Sequence, residues 1–104
     1  MSAGWIRVAS LGDIEEGGTL QVGVAGEPVC LYKIGGQVFA TQDICTHAQA
    51  SLSEGFVDGD CIECPLHQAL FHIPTGEVRS APATENLRVY PVLVEGLDVH
   101  VQAN

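Results

Sequence analysis

Residues 29–42, "VCLYKIGGQVFATQ", place two runs rich in β-branched and aromatic residues on either side of a Gly-Gly pair. Two glycines supply the positive φ angles that a two-residue hairpin turn requires, so the stretch predicts a β-hairpin turning at Gly35-Gly36. Period-2 alternation continues outward from it. In "TLQVGV", Leu20, Val22 and Val24 share one face; in "LDVHVQ", Leu97, Val99 and Val101 do, with Asp98, His100 and Gln102 outward. "WIRVAS", "LFHI" and "LRVYPVLV" read as further strands, and "PTGEV" and "VEGLD" as turns. Helical periodicity is weak throughout, and "SLGDIEEGG" holds one short helical turn at most. The expected class is all-β, a sandwich or small barrel. Two stretches, 43–58 and 65–69, resist strand assignment and are expected to be loops that carry the chemistry.

The chain has 104 residues, which suits a single domain spanning 1–104. Hydrophobic residues make up 46% and charged residues only 16%, against a usual charged share of about 25%. A net charge of −9 excludes an electrostatically driven binder of nucleic acid or anionic membrane. Between Lys33 and Arg79 there is no other Lys or Arg, while Asp43, Glu54, Asp58, Asp60, Glu63 and Glu77 fall there. That run is expected to form an acidic surface able to steer basic partners. "MSAGWIRVASLGD" shows no secretory signal pattern and no stretch suits a membrane anchor, so a cytoplasmic protein with reduced thiols is expected.

Reduced cysteines grouped with histidines point to metal. Cys45-Thr46-His47 and Cys64-Pro65-Leu66-His67 have sixteen residues between His47 and Cys64. Each pair offers a soft thiolate and an imidazole in one tight loop. Cys-x-His, such a spacer, then Cys-x-x-His is the pattern of a Rieske [2Fe–2S] centre, in which two His replace two Cys on one iron. Two Cys and two His also make a tetrahedral zinc site, although zinc fingers group Cys with Cys and His with His. Cys61 forms a Cys-x-x-Cys with Cys64, but positions three apart on an extended chain face opposite sides, so Cys61 is expected to be a spare thiol. Cys30 reads as a small buried hydrophobe, and His72 and His100 as bystanders, His100 being exposed.

Over nearly its whole length the chain resembles the Rieske ferredoxins of bacterial ring-hydroxylating dioxygenase systems, through "CTHAQASLSEG", "IECPLHQALFHIPTGEV" and "APATENLRVYPV". The resemblance implies a basal β-sandwich or barrel, residues 1–42 and 83–104, with a small cluster-binding subdomain inserted at about 43–82. It implies one [2Fe–2S] cluster, with Cys45 and Cys64 on the buried iron, His47 and His67 on the outer iron, and Pro82 covering the site. It also implies a monomeric, non-enzymatic one-electron carrier between an FAD-containing, NAD(P)H-dependent ferredoxin reductase and a terminal oxygenase in aromatic compound catabolism. High-potential relatives carry an extra Cys in each loop, at positions matching Ala50 and Leu66, and hydroxyls at positions matching Ala69 and Phe71. Lacking those hydrogen bonds to the cluster sulfurs, this chain is expected toward the low end of the roughly −150 to +300 mV Rieske range. Relatives often have Asp where His72 stands, so a local salt bridge or hydrogen bond is expected to be missing there. An oxygenase proper would need a further iron site of two His and a carboxylate, for which only His72 and His100 remain. The alternatives are a small Rieske subunit of another reductase, such as nitrite reductase, and a zinc-binding interaction module.

Overall fold

A computed structural model describes residues 4–46, 49–81 and 83–103. Its strands are β1 (Trp5–Ser10), β2 (Thr19–Val24), β3 (Glu27–Ile34), β4 (Gln37–Gln42), β5 (Phe56–Asp58), β6 (Cys61–Glu63), β7 (Leu70–His72), β8 (Val89–Tyr90), β9 (Val92–Glu95) and β10 (Asp98–Gln102). Single 3-10 turns occur at Leu11–Asp13 and Leu52–Glu54. The strands form three antiparallel sheets in the orders β1-β10-β9, β2-β3-β4-β8 and β5-β6-β7. The all-β expectation holds. Among the described residues no helix is long and apolar enough to cross a membrane.

The β3–β4 hairpin turns at Gly35-Gly36, both with positive φ (59° and 78°), and closes on the pair Ile34–Gln37. The Glu16 carboxylate accepts from both turn N–H groups and so fixes the hairpin tip. Strand β3 is buried on both faces, which explains why "VCLY" is continuously apolar. Alternation then sorts its side chains between two cores. Val29 and Leu31 join Ile14, Val24, Val99 and Val101 in the core of the two larger sheets. Cys30 and Tyr32 face the other way, into a core with Cys45, Leu52, Ile62, Cys64, Ala69 and Phe71. The second core therefore carries both candidate ligand loops on the back of a rigid central strand.

Four details differ from the sequence reading. "LRVYPVLV" is two strands, because Pro91 has no N–H to continue a ladder; β8 pairs with β4 and β9 with β10. Leu97 is 71% exposed in the turn before β10 and does not share the inward face of Val99 and Val101. Residues 56–58, expected in a loop, form β5, an edge strand whose central Val57 packs inward while Phe56 stays exposed. His100 is half-buried beside Arg7 and Leu93, and its Nδ1 has no hydrogen-bond partner among the described residues.

Gly76 stitches the second ligand region to the segment that leads into β8. Its N–H donates to the His72 carbonyl at 2.7 Å and its own carbonyl accepts from Leu87 N–H at 2.8 Å. Its φ is +76°, and an added Cβ would run into the Leu87 carbonyl. The substitution Gly76→Ala combines left-handed strain, about 1–3 kcal/mol, with an overpacking cost of similar size. Urea unfolding should show a midpoint lowered to match, with an unchanged slope.

Candidate metal centre

The two ligand loops are closed in the same way. In the first, Cys45 N–H donates to the Ala50 carbonyl at 2.9 Å; in the second, Cys64 N–H donates to the Ala69 carbonyl at 2.8 Å. Each loop thus leaves a short antiparallel stem at a cysteine and returns five residues later at an alanine. The first stem is the Ile44–Ser51 bridge and the second is the β6–β7 pair. To turn so tightly, the second loop holds His67 and Gln68 in the left-handed region, with φ of 67° and 59°. Turning at that point carries His67 and Leu66 to the surface while Cys64 stays inside.

Cys45 is 4% exposed and Cys64 0%. They are not joined as a disulfide and lie within hydrogen-bond reach of each other. Burial pushes the Cys64 thiol up to about 11; the Leu66 N–H directed at its Sγ lowers it, and the adjacent Cys45 thiol raises it. Two such thiols become thiolates together only opposite a comparable positive charge, which a bound iron–sulfur core provides. The donor set therefore fits a [2Fe–2S] group. A tetrahedral zinc would require the donors to converge on one point. Among the described residues no three His, Cys, Asp or Glu side chains do so. A binuclear cluster divides its protein donors between two irons and needs no such convergence.

The structure places Cys45 and Cys64 in the second core and His67 at the surface, in the loop that Cys64 and Ala69 close. His47 and Pro82 lie outside the described residues. Residues 83–87 pack beside the first ligand loop: Ala83 and Leu87 are buried in the same core, and Thr46 Oγ1 donates to the Glu85 carbonyl at 2.8 Å. Ala50, Ala69 and Phe71 are buried and bring no hydroxyl, and Leu66 is 47% exposed. Cys30 is fully buried, its thiol pushed up to about 12 by burial. Cys61 lies across the ladder from His72, on the outer face of its sheet.

Two side chains behave differently from the sequence expectation. Asp43, counted with the acidic surface, is 0% exposed and ties the first ligand loop to its surroundings. It has the strand parity of the buried Thr41 and Cys45, which is the one signal the sequence carries for it. His72 is not short of a partner. Its Nε2 meets Asp60 Oδ2 at 2.9 Å and its Nδ1 meets Thr75 Oγ1 at 2.8 Å, a clasp joining the β5–β6 turn to the turn after β7.

Comparison with known proteins agrees with this geometry. The profile of the Rieske [2Fe-2S] domain matches residues 4–91. The ferredoxin component of the naphthalene 1,2-dioxygenase system of Pseudomonas putida is 44% identical over 101 residues, covering 97% of each chain. Among solved structures, the ferredoxin of carbazole 1,9a-dioxygenase from Nocardioides aromaticivorans IC177 superposes with a TM-score of 0.94 at 32% identity, covering 98% of this chain and 100% of that one. A chain in a complex of reduced oxygenase and oxidised ferredoxin in carbazole 1,9a-dioxygenase gives 0.92 at 40% identity, covering 99% and 96%.

The His72 clasp predicts a pH dependence. The hydrogen bond from His72 holds the Asp60 carboxyl below its usual 3.8. A depressed carboxyl contributes stability above its unfolded value, and that contribution is lost as pH falls through the folded one. Asp60→Asn should therefore lower the urea midpoint of the protein near neutral pH, and the two proteins should converge as the buffer is taken below the carboxylate range.

Proposed function

The chain belongs to the Rieske [2Fe-2S] domain family, and we propose that it is the ferredoxin component of an aromatic-ring dioxygenase system. In that role it is an electron carrier and not itself an enzyme. It takes electrons from an FAD-containing, NAD(P)H-dependent ferredoxin reductase and delivers them to a terminal oxygenase. The observation that carries the reading is the pair of identically closed loops, which set the buried Cys45 and Cys64 side by side, with the exposed His67 in the second loop. Full-length similarity to ferredoxin components of such systems supports it.

We assign Cys45, His47, Cys64 and His67 as the cluster ligands and residues 43–82 as the cluster-binding subdomain. When bound, a [2Fe–2S] cluster supplies a one-electron couple. The protein's own contribution is positional. The Cys45–Ala50 and Cys64–Ala69 closures hold both loops in register, and the Leu66 N–H points at a ligand sulfur. Leu52, Ile62, Ala69 and Phe71, all 0% exposed, keep water away from the cysteine side. The absence of hydroxyls at Ala69 and Phe71 supports a potential toward the low end of the Rieske range. His67 is exposed next to Leu66 in the chain, and Leu66 and Ile44, 47% and 36% exposed, line one hollow, an apolar rim on which a partner docks briefly. Glu54, Asp58, Asp60 and Glu77 are exposed and attract basic partner surfaces. We place the protein in the cytoplasm as a monomer.

The test is reconstitution with an FAD-containing ferredoxin reductase and a terminal ring-hydroxylating oxygenase. The protein should couple NAD(P)H oxidation to substrate hydroxylation, and Cys64→Ser, unable to supply the thiolate, should reduce the coupled rate to background. Copurification as a stoichiometric subunit of a large reductase, with no transfer to any oxygenase, would assign the protein to that reductase instead.

A further inference from the structure

Asp43 is the one buried acidic or basic side chain among the described residues. Its Oδ2 accepts from Gln21 Nε2 at 2.6 Å and from Ser51 Oγ at 2.5 Å, and its Oδ1 accepts from Ser53 N–H at 2.9 Å. Its main chain is held as well: Asp43 N–H donates to the Pro28 carbonyl at 3.1 Å, and its own carbonyl accepts from Leu52 N–H at 2.7 Å. One residue thus joins β2, the start of β3, the end of β4 and the returning limb of the first ligand loop. The next residue opens the Ile44–Ser51 stem, and Cys45 follows it.

The donors are all neutral. Three donors and no acceptor partner suit a carboxylate, which accepts only. Among the described residues no Lys or Arg is paired with it. Arg7 pairs with Asp98, Arg79 with Glu77, Arg88 lies over the Tyr90 ring, and Lys33 acts on Glu16. Asp43 stands two positions before Cys45, and its carboxylate is tied by Ser51 and Ser53 to the returning limb of the loop that Cys45 opens. A fixed negative charge in a low-dielectric interior disfavours the arrival of an electron nearby.

We propose that Asp43 is a positioning residue for the first ligand loop, and that its buried negative charge holds down the reduction potential of the cluster this loop carries. The second half rests on the ligand assignment above; the first does not.

Three variants separate the effects. Asp43→Asn removes the charge and weakens the hub. Ser51→Ala removes one donor and keeps the charge. Gln21→Lys, on the exposed side of the network, keeps a nitrogen donor and adds a balancing positive charge. Two readouts are taken on each protein as purified: hydrogen–deuterium exchange of peptides spanning 43–53, and the midpoint potential from a redox titration. Asp43→Asn and Ser51→Ala should both exchange faster than wild type in that segment. The potential should rise in Asp43→Asn and Gln21→Lys and should not rise in Ser51→Ala. If Asp43→Asn does not fold, Gln21→Lys decides the electrostatic half alone. Wild-type exchange in Ser51→Ala would overturn the positioning role, and an unshifted potential in a cluster-loaded Gln21→Lys would overturn the charge role. A wild-type protein without cluster would instead contradict the ligand assignment, and the exchange measurement would still decide the positioning role.

Discussion

Two thiols buried side by side are the constraint on which the rest of this molecule depends. Cys45 and Cys64 come from loops nineteen positions apart in sequence, yet both sit in one core at 4% and 0% exposure. Burial and the neighbouring Cys45 both oppose ionisation of Cys64 there. A fold that keeps such a pair together, without joining it as a disulfide, is built to receive positive charge. The two Cys-to-Ala closures supply the required precision with main-chain bonds alone. This is why the loop sequences outside the ligands tolerate small apolar residues such as Ala50 and Ala69.

The central strand makes the arrangement rigid. Because β3 is covered on both faces, its odd-numbered residues anchor the sandwich and its even-numbered residues, Cys30 and Tyr32, form a wall of the metal-site core. Movement of the ligand loops would have to disturb packing on a strand that also holds the other core. Fully burying a side chain such as Leu31 or Phe71 contributes about 1.5–3 kcal/mol, so the site inherits its order from the whole fold. Tyr32 adds to this through its hydroxyl, which shares a hydrogen bond with Thr41 Oγ1 at 2.8 Å. The cysteine end is thereby stiff and dry, whereas the His67 end is exposed, an asymmetry suited to passing an electron outward.

Local patterns in the sequence carried much of this. Gly35-Gly36 and the alternation on either side located the central hairpin, because turn geometry and strand periodicity are properties of adjacent residues. The ligand spacing likewise lies within short loops. What stayed hidden was set by partners far along the chain. The burial of Asp43 depends on Gln21, twenty-two positions earlier, and on Ser51, eight later. His72 finds Asp60 twelve positions away only once the β6–β7 pairing exists. Strand β5 is three residues long with a single inward apolar side chain, Val57, too little for a periodic signal. Pro91 did announce the break in "LRVYPVLV", but nothing local says that the two halves enter different sheets.

The central claim is that two histidines and two cysteines of this chain share one [2Fe–2S] cluster. Pulsed electron paramagnetic resonance of the reduced protein, prepared with natural-abundance and with 15N-labelled histidine, tests it most directly. The account predicts couplings to two inequivalent, directly bound imidazole nitrogens that change with the label, one of them absent in His67→Cys. A spectrum with no strongly coupled nitrogen, or a wild-type signal that His67→Cys leaves untouched, would contradict it.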